Sequence, residues 1–334
     1  MLISVIIPVR NGRATLSRCL DALKQSTWPH WECLVIDDHS TDNTAEIARL
    51  AGVRVYHTTQ PGPAAARNLG ARVATGDILF FLDADVLVQP DTLSRVAQIM
   101  HNPSLAACFG SYDDHPEAPN FLSQYRNLLH HYTHQIGNPD AVTFWSGCGA
   151  IRKEVFWQLG GFDESRFTRP SIEDIELGYR LRQAGYRIYL EKSLLVTHLK
   201  RWTVTDMLVT DIRDRAIPWA RLVIAGGELP DDLNLRADQR ISGVLVVLGG
   251  ISAVFACAYR PFLWLVLGAI AGLLFLNRQF YAFLYQKRGA GFALTAVPWH
   301  WLYFVYSSLS FSGVWVWHLV KTARNRWQAV FGNR

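Results

Sequence analysis

Short apolar runs alternate with amphipathic stretches through the first 110 residues. Ile3–Val9, Trp31–Asp37, Val53–His57, Ile78–Asp83 and Ala106–Gly110 read as strands, being brief, apolar and bounded by Gly, Pro, Asn or Asp. Apolar positions at helical spacing predict helices near 12–26, 42–51, 63–74 and 90–101, and a further helix near 119–136. Strand and helix in strict alternation predict an α/β domain, its sheet mostly parallel and covered by helices on both faces.

The pattern changes after Asp238, where acidic residues stop, and 241–259, 262–277 and 292–320 contain no Lys, Arg, Asp or Glu. As helices the three would run about 28, 24 and 43 Å, against a hydrocarbon thickness of roughly 30 Å. The first has the length of a transmembrane span. The second is short enough to thin the bilayer or to form half of a re-entrant hairpin. The third must tilt, bend at Pro298 or extend out of the membrane. Six of the twelve tryptophans, Trp264, Trp299, Trp301, Trp315, Trp317 and Trp327, lie in this part, as interfacial belts require. The expected organisation is an α/β domain over 1–203, an amphipathic, interfacial helical linker over 204–238 and a membrane region over 239–334. In the linker Leu208, Ile212, Ala216, Trp219 and Val223 recur near helical spacing among Arg213, Arg215 and Arg221, which suits an interfacial helix and equally a helix packed into a core.

Charge and cysteine content narrow the function classes. The net charge of +5 draws on Arg278, Lys287, Arg288, Lys321, Arg324 and Arg326 around the apolar segments, which suits anionic lipid headgroups better than nucleic acid. Three full crossings would put the last basic cluster opposite the α/β domain, against the positive-inside tendency, so either one segment is re-entrant or the rule is broken. The N-terminus lacks the basic and long apolar regions of a signal peptide, so the α/β domain is expected in the cytoplasm. Five cysteines without C-x-x-C spacing argue against a disulfide framework or a zinc site. His130, His131 and His134 suggest a metal cluster at first sight, but no carboxylate or Cys follows at ligand spacing, and surface histidine is the ordinary reading.

Candidate chemistry gathers at strand ends. Asp83-Ala84-Asp85 closes the run 77–82 with two carboxylates one residue apart, at the edge where open α/β sheets bind ligands. A divalent cation completed by substrate phosphates makes both charges useful; the alternative is an Asp-rich turn capping the next helix. Strand two ends in Asp37-Asp38-His39-Ser40 and strand one in Pro8-Val9-Arg10-Asn11, so three loops converge on one crevice. An Asp at a strand end suits a ring N–H or a ribose hydroxyl, while Ser40 to Thr44 also reads as a helix cap. Gly62 to Gly70 opens a helix with small residues and sets Arg67 one turn in, which suits a phosphate. Glu173 and Asp174 begin another helix after Pro170, where acidic residues also answer the helix dipole.

With these motifs in this order, residues 3–203 resemble a family 2 glycosyltransferase of the GT-A fold, membrane-attached type. The resemblance implies a Rossmann-like, mostly parallel catalytic domain followed by C-terminal transmembrane helices, and an inverting, hexosyltransferase-like transfer. It implies a nucleotide-sugar donor, with Mg2+ or Mn2+ ligated by Asp85 and with Asp83 near the ribose. Asp38 is then expected on the nucleoside base, Asp37 and Pro8 around that pocket, Arg67 on the base or phosphate region, and Asp174 as general base with Glu173 beside it. His198-Leu199-Lys200-Arg201-Trp202 resembles the Gln-x-x-Arg-Trp motif of membrane synthases, in which the Arg meets diphosphate and the Trp the acceptor. His replaces Gln here, so His198 either completes the metal shell or is a plain loop residue. Expected partners are a lipid-linked or other membrane-proximal glycan acceptor and membrane lipids. A processive polysaccharide synthase and a catalytically silent membrane scaffold remain the alternatives.

Overall fold

Parallel pairing of Ile3–Val9 (β1) with Trp31–Asp37 (β2) brings the ends of two apolar strands level, Val9 opposite Asp37. The structure, a computed structural model, describes residues 1–226, 233 and 236–331. It divides into two units, Met1–Thr203 and Val204–Arg334.

In the first unit β1 and β2 are joined by Arg54–His57 (β3) and Ile78–Leu82 (β4) in a parallel set ordered β3-β2-β1-β4. Leu16–Lys24 (α1), Thr44–Leu50 (α2) and Pro63–Val73 (α3) connect these strands. All five residues of β4 are buried, which explains its unbroken apolar run. α3 begins at Pro63 as its pattern predicts, while α1 and α2 start a few residues later than theirs because the intervening residues serve the loops. Gly12, for example, donates its amide to Thr44 Oγ1 at 2.8 Å.

Beyond β4 the parallel expectation fails. Cys148–Arg152 (β8) inserts antiparallel between β4 and Leu105–Tyr112 (β6), and β6 continues parallel to Arg187–His198 (β9). The sheet is therefore mixed, and two short strands, Val86–Leu87 (β5) and Asp140–Ala141 (β7), pair antiparallel with β9. Pairing with β9 also extends β6 past Gly110 to Tyr112. β4 ends at Leu82, one residue short of the strand predicted over Ile78–Asp83, and the Asp83 amide still donates to Gly147 O at 3.1 Å, in line with the β4–β8 pairing. Thr92–Met100 (α4), Phe121–Ile136 (α5), Lys153–Gln158 (α6) and Glu173–Gln183 (α7) complete the unit.

The second unit is helical. Over the described part of the linker the chain is helical without a break, Val204–Val209 (α8) and Ile217–Gly226 (α9) being joined by a π-helical turn at Thr210–Ala216. The π turn buries Asp211, whose Oδ2 accepts the Tyr306 hydroxyl at 2.5 Å, so this stretch is packed inside its unit and not merely laid on an interface. Ala237–Ala256 (α10) and Phe262–Leu276 (α11) form an antiparallel pair tied by Asn277 Nδ2 donating to Ser242 Oγ at 3.0 Å. Their outer faces expose Ile241, Leu248, Val254, Trp264, Leu267 and Phe275.

Arg278–Phe331 (α12) runs without interruption through Pro298, one of the places where the sequence allowed a bend; the break lies at Gly289, with φ 82°. There the chain folds back, because the Tyr281 hydroxyl and His300 Nδ1 are 3.2 Å apart although a straight helix would separate those residues by about 28 Å. Among the described residues one helix, Ala237–Ala256, is long and apolar enough to cross a membrane. The pair Phe262–Leu276 and Arg278–Asn325 passes the same test only jointly, across a 60° bend. Most of 227–235 and the side chains of Arg326 and Trp327, assigned above to the linker and to the basic and aromatic flank, lie outside the described residues.

Candidate active site

The carboxyl ends of β1, β2 and β4 form one edge, and the loops that leave them bind each other. Asn11 donates its amide to Ser40 Oγ at 2.9 Å, and its Oδ1 accepts the Thr41 amide at 2.8 Å. Asp38 is buried behind this junction. Its two oxygens each accept the Gly62 amide at 3.1 Å, and Thr58 Oγ1 reaches one of them at 3.3 Å. Gly62 has φ 122° and would carry a Cβ only 2.7 Å from Thr168 O, so no side chain fits at this entrance to α3. Asp37 accepts the Ser40 amide at 3.2 Å and faces His57 Nδ1 at 3.1 Å, bracing the turn that presents Asp38. Pro8 stands one residue before the end of β1, opposite Ile36.

Arg67 is not left open for a phosphate. Its guanidinium lies between two carboxylates, Nη1 donating to Glu173 Oε1 at 2.7 Å and Nη2 to Asp83 Oδ1 at 2.9 Å, with only 7% of the side chain exposed. The geometry makes Arg67 a clamp joining α3, the loop after β4 and the start of α7. Glu173 is committed to the same clamp, its other oxygen accepting the Ser171 amide at 2.9 Å. Enclosure pushes the Glu173 carboxyl above its usual range despite the pull of Arg67, and the charge of Asp174 adds to the rise. Enclosure likewise raises Asp83, opposed by Arg67 and reinforced by the charges of Asp85 and Asp174. The four carboxylates Asp83, Asp85, Glu173 and Asp174 thus share one electrostatic neighbourhood.

Asp85 meets His198, Oδ2 and Nε2 being 3.6 Å apart. The backbone fixes this pair, since Val86 pairs with His198 in the β5–β9 ladder and Leu199 donates its amide to Asp85 O at 2.8 Å. Enclosure acts to raise Asp85, but the hydrogen bond and charge of His198 and the charge of Lys200 outweigh it and hold the carboxyl below its usual range. Among the described residues no group of three or more His, Cys, Asp or Glu converges on one metal position. A carboxylate beside an imidazole nonetheless fits a divalent cation whose remaining ligands come from diphosphate and water, the usual arrangement for ions that keep part of their hydration.

Asp174 sits at the first turn of α7. Its Oδ2 accepts the Ser146 amide at 3.0 Å and the Ser146 hydroxyl at 3.1 Å, and its Oδ1 accepts the Ile175 amide at 2.8 Å. Ser146 carried no signal in the sequence. Trp202, expected at the acceptor, is buried against α5. Its amide donates to Ser123 Oγ at 2.8 Å, its carbonyl accepts Asn120 Nδ2 at 2.9 Å, and Arg126 and Lys200 lie over its ring. Arg201 beside it is exposed. Of the three histidines of α5, two are not surface residues and the third is half-buried. His131 and His134 are buried with Nδ1 against the carbonyls of Tyr112 and Gly110, and His130 packs on Tyr112 and Trp145. Burial lowers the His134 pKa to about 4.

The comparisons with known proteins agree with this architecture. Residues 4–160 match the family described as glycosyl transferase family 2. Validoxylamine A glucosyltransferase of Streptomyces hygroscopicus subsp. limoneus is 33% identical over 223 residues, 55% of this chain and 48% of that protein. Pre-mycofactocin glycosyltransferase of Mycobacterium tuberculosis is 28% identical over 302 residues, 81% of this chain and 62% of that protein. The aligned regions thus span about half to three-fifths of these relatives. Among solved structures, the mannosyltransferase PcManGT of Pyrobaculum calidifontis, in complex with GDP-Man and Mn2+, superposes with a TM-score of 0.60 at 18% identity over 92% of this chain and 86% of that one. Residues 1–349 of TarS from S. aureus give 0.52 at 16% identity over 94% and 90%. At such identities the likeness is one of fold, the GT-A arrangement with its mixed sheet. The family match, residues 4–160, runs from β1 to the end of α6 and includes the edge that carries Asp38, Arg67, Asp83 and Asp85, so over this part the chain is similar to glycosyl transferase family 2.

Proposed function

We propose that the first unit transfers a sugar from a nucleotide-diphosphate sugar, with inversion, to the hydroxyl of a lipid-linked or membrane-proximal acceptor. The observation that carries this reading is Asp85 held against His198 by the β5–β9 ladder, in the same electrostatic neighbourhood as Asp174. Asp38 and Asp37 serve the nucleoside. Asp85 and His198 would hold Mn2+ or Mg2+, which, when bound, neutralises charge on the departing diphosphate. PcManGT, which shares the fold, was solved with GDP-Man and Mn2+. The bond from the anomeric carbon to diphosphate oxygen breaks, a bond from that carbon to the acceptor oxygen forms on the opposite face, and the hydroxyl proton passes to Asp174. Arg67 and Glu173 act on this chemistry only by fixing Asp83 and the start of α7. Arg201 is left on the surface as a candidate contact for diphosphate.

The second unit attaches the enzyme to a membrane through α10 and α11, with the catalytic unit on the cytoplasmic side. A 20-residue helix of about 30 Å matches the hydrocarbon thickness, and an apolar surface as extensive as that of α10 and α11 is unusual on a protein bathed only in water.

The test is release of nucleoside diphosphate from UDP-glucose and GDP-mannose, with and without Mn2+, by the wild type and by Asp85→Asn. Metal-dependent release that Asp85→Asn abolishes is the expected result. Full activity of Asp85→Asn removes the metal assignment, and no release or binding of any nucleotide sugar by the wild type removes the enzymatic reading. Retention of the chain in carbonate-washed membranes tests the attachment.

A further inference from the structure

A run of packed aromatic rings connects the Asp85–His198 pair to the segment that holds Asp174. The Tyr112 ring stacks on the His198 imidazole, centroids 4.2 Å apart and planes at 13°. Trp145 meets Tyr112 edge-on at 4.9 Å and 78°, and His130 packs on both. Trp145 is followed directly by Ser146, the residue that holds Asp174. The run of rings therefore leads from the candidate metal ligand to the holder of the candidate base.

The indole also has a place made for it. A Cβ on Gly147 would stand 2.6 Å from Trp145 Cε2 and Cζ2, so a glycine is what lets the ring lie down on the backbone there. Gly147 O in turn accepts the Asp83 amide at 3.1 Å, which ties the ring's seat to the acidic loop. Phe109, Phe144 and His134 behind this wall are buried, whereas Tyr112, His130 and Trp145 are only half-buried. The wall keeps a solvent-facing side.

We propose that Trp145, with Tyr112, is the platform on which the acceptor lies, and that the acceptor offers its attacking hydroxyl on a sugar ring and not on a bare lipid alcohol. This rests on the donor and base assignments above. A pyranose has an apolar C–H face and a polar rim, so an indole that covers the face leaves the rim hydroxyls to polar groups such as Asp174. Trp202, the residue that the resemblance to membrane synthases assigns to the acceptor, is packed beneath Arg126 and Lys200 and does not compete for the role.

The test uses the full chain in detergent and follows nucleoside diphosphate release from UDP-glucose or GDP-mannose with Mn2+. The probes are methyl β-D-glucopyranoside and methyl α-D-mannopyranoside, with sorbitol as a polyol that has no ring face. A ring probe is expected to change the rate, as acceptor or as inhibitor, with a half-effect concentration that rises about tenfold in Trp145→Ala and less in Trp145→Phe. Sorbitol is expected to do nothing. An unchanged half-effect concentration in Trp145→Ala, an equal effect of sorbitol, or no effect of either glycoside on the wild type overturns the proposal. Saturation-transfer NMR on the wild type needs no variant and no turnover. Saturation concentrated on H3 and H5 of the glucoside supports the platform, and uniform or absent saturation removes it. A wild type that releases no diphosphate from any donor fails the enzymatic reading instead, and the NMR arm still decides the platform.

Discussion

Arg67 and Glu173 stand 106 residues apart in sequence and 2.7 Å apart in space, and both side chains are almost fully withdrawn from solvent. Taking a guanidinium out of water is tolerable only while its carboxylates remain, so the pair fixes α3 to α7 more by the cost of separation than by net attraction. Removing the cation leaves Glu173 and Asp83 enclosed without their partner. Arg67→Met is expected to destabilise the chain by about 3–5 kcal/mol in urea titration. A loss below about 1 kcal/mol would show that the pair is solvated in solution.

Ser146 gives one oxygen of Asp174 two hydrogen bonds, one from its amide and one from its hydroxyl. Substitution removes only the second. Ser146→Ala is expected to lower the transfer rate by about tenfold with little change in donor KM, while Ser146→Thr, which keeps a hydroxyl, recovers most of the rate. Equal rates in the alanine and threonine variants would leave the hydroxyl without a part in positioning the base.

How much of this could be read from the chain varied with the range of the interaction. Strands β1, β2 and β4 declared themselves because each is a short apolar run ending at a polar loop, and Asp38 and Asp85 were visible as the charges at those ends. The insertion of β8 between β4 and β6 was not legible, since a five-residue run says nothing of its neighbours. Arg67 looked like a phosphate ligand because its place at the start of a helix is local information, whereas its two carboxylate partners are not. Trp202 and Trp145 show the same limit. Motif position pointed to Trp202, which is buried, whereas Trp145, which carries no motif, keeps part of its ring exposed. In α12 the proline drew attention and the glycine nine residues earlier makes the turn, because neighbouring turns of a helix can absorb a proline but φ 82° ends the helix locally.

Gly62 joins backbone conformation to the nucleoside side of the site. Its amide is the main partner of Asp38, and its φ of 122° is one that residues with a Cβ avoid. Gly62→Ala is expected to shift the loop off Thr168, break the bond to Asp38 and weaken nucleoside diphosphate binding by about tenfold or more, at a stability cost of about 1–3 kcal/mol. Calorimetric titration with UDP and GDP checks this, and affinity equal to the wild type would separate Asp38 from nucleoside recognition.

The five cysteines give a prediction that depends on no functional reading. Cys19, Cys33, Cys108 and Cys148 are buried, and Cys257 is exposed at the end of α10. Burial pushes Cys33 and Cys108 from an ordinary 9.0 up to about 12 and raises Cys19 and Cys148 as well. A thiol of this kind holds its proton more tightly in the folded chain than in the unfolded one. Its contribution to stability is therefore intact below pH 9 and is lost progressively as pH climbs from about 9 toward 12. At pH 8 the folded protein in detergent is expected to react with one equivalent of a thiol reagent such as Ellman's reagent, and with five after unfolding in denaturant. Urea midpoints should be flat between about pH 7 and 8.5 on account of these groups and fall above about pH 9. Fast reaction of two or more thiols in the folded state would mean that the sheet around Cys108 and Cys148 opens readily, and the tight β4–β8–β6 arrangement would have to be revised.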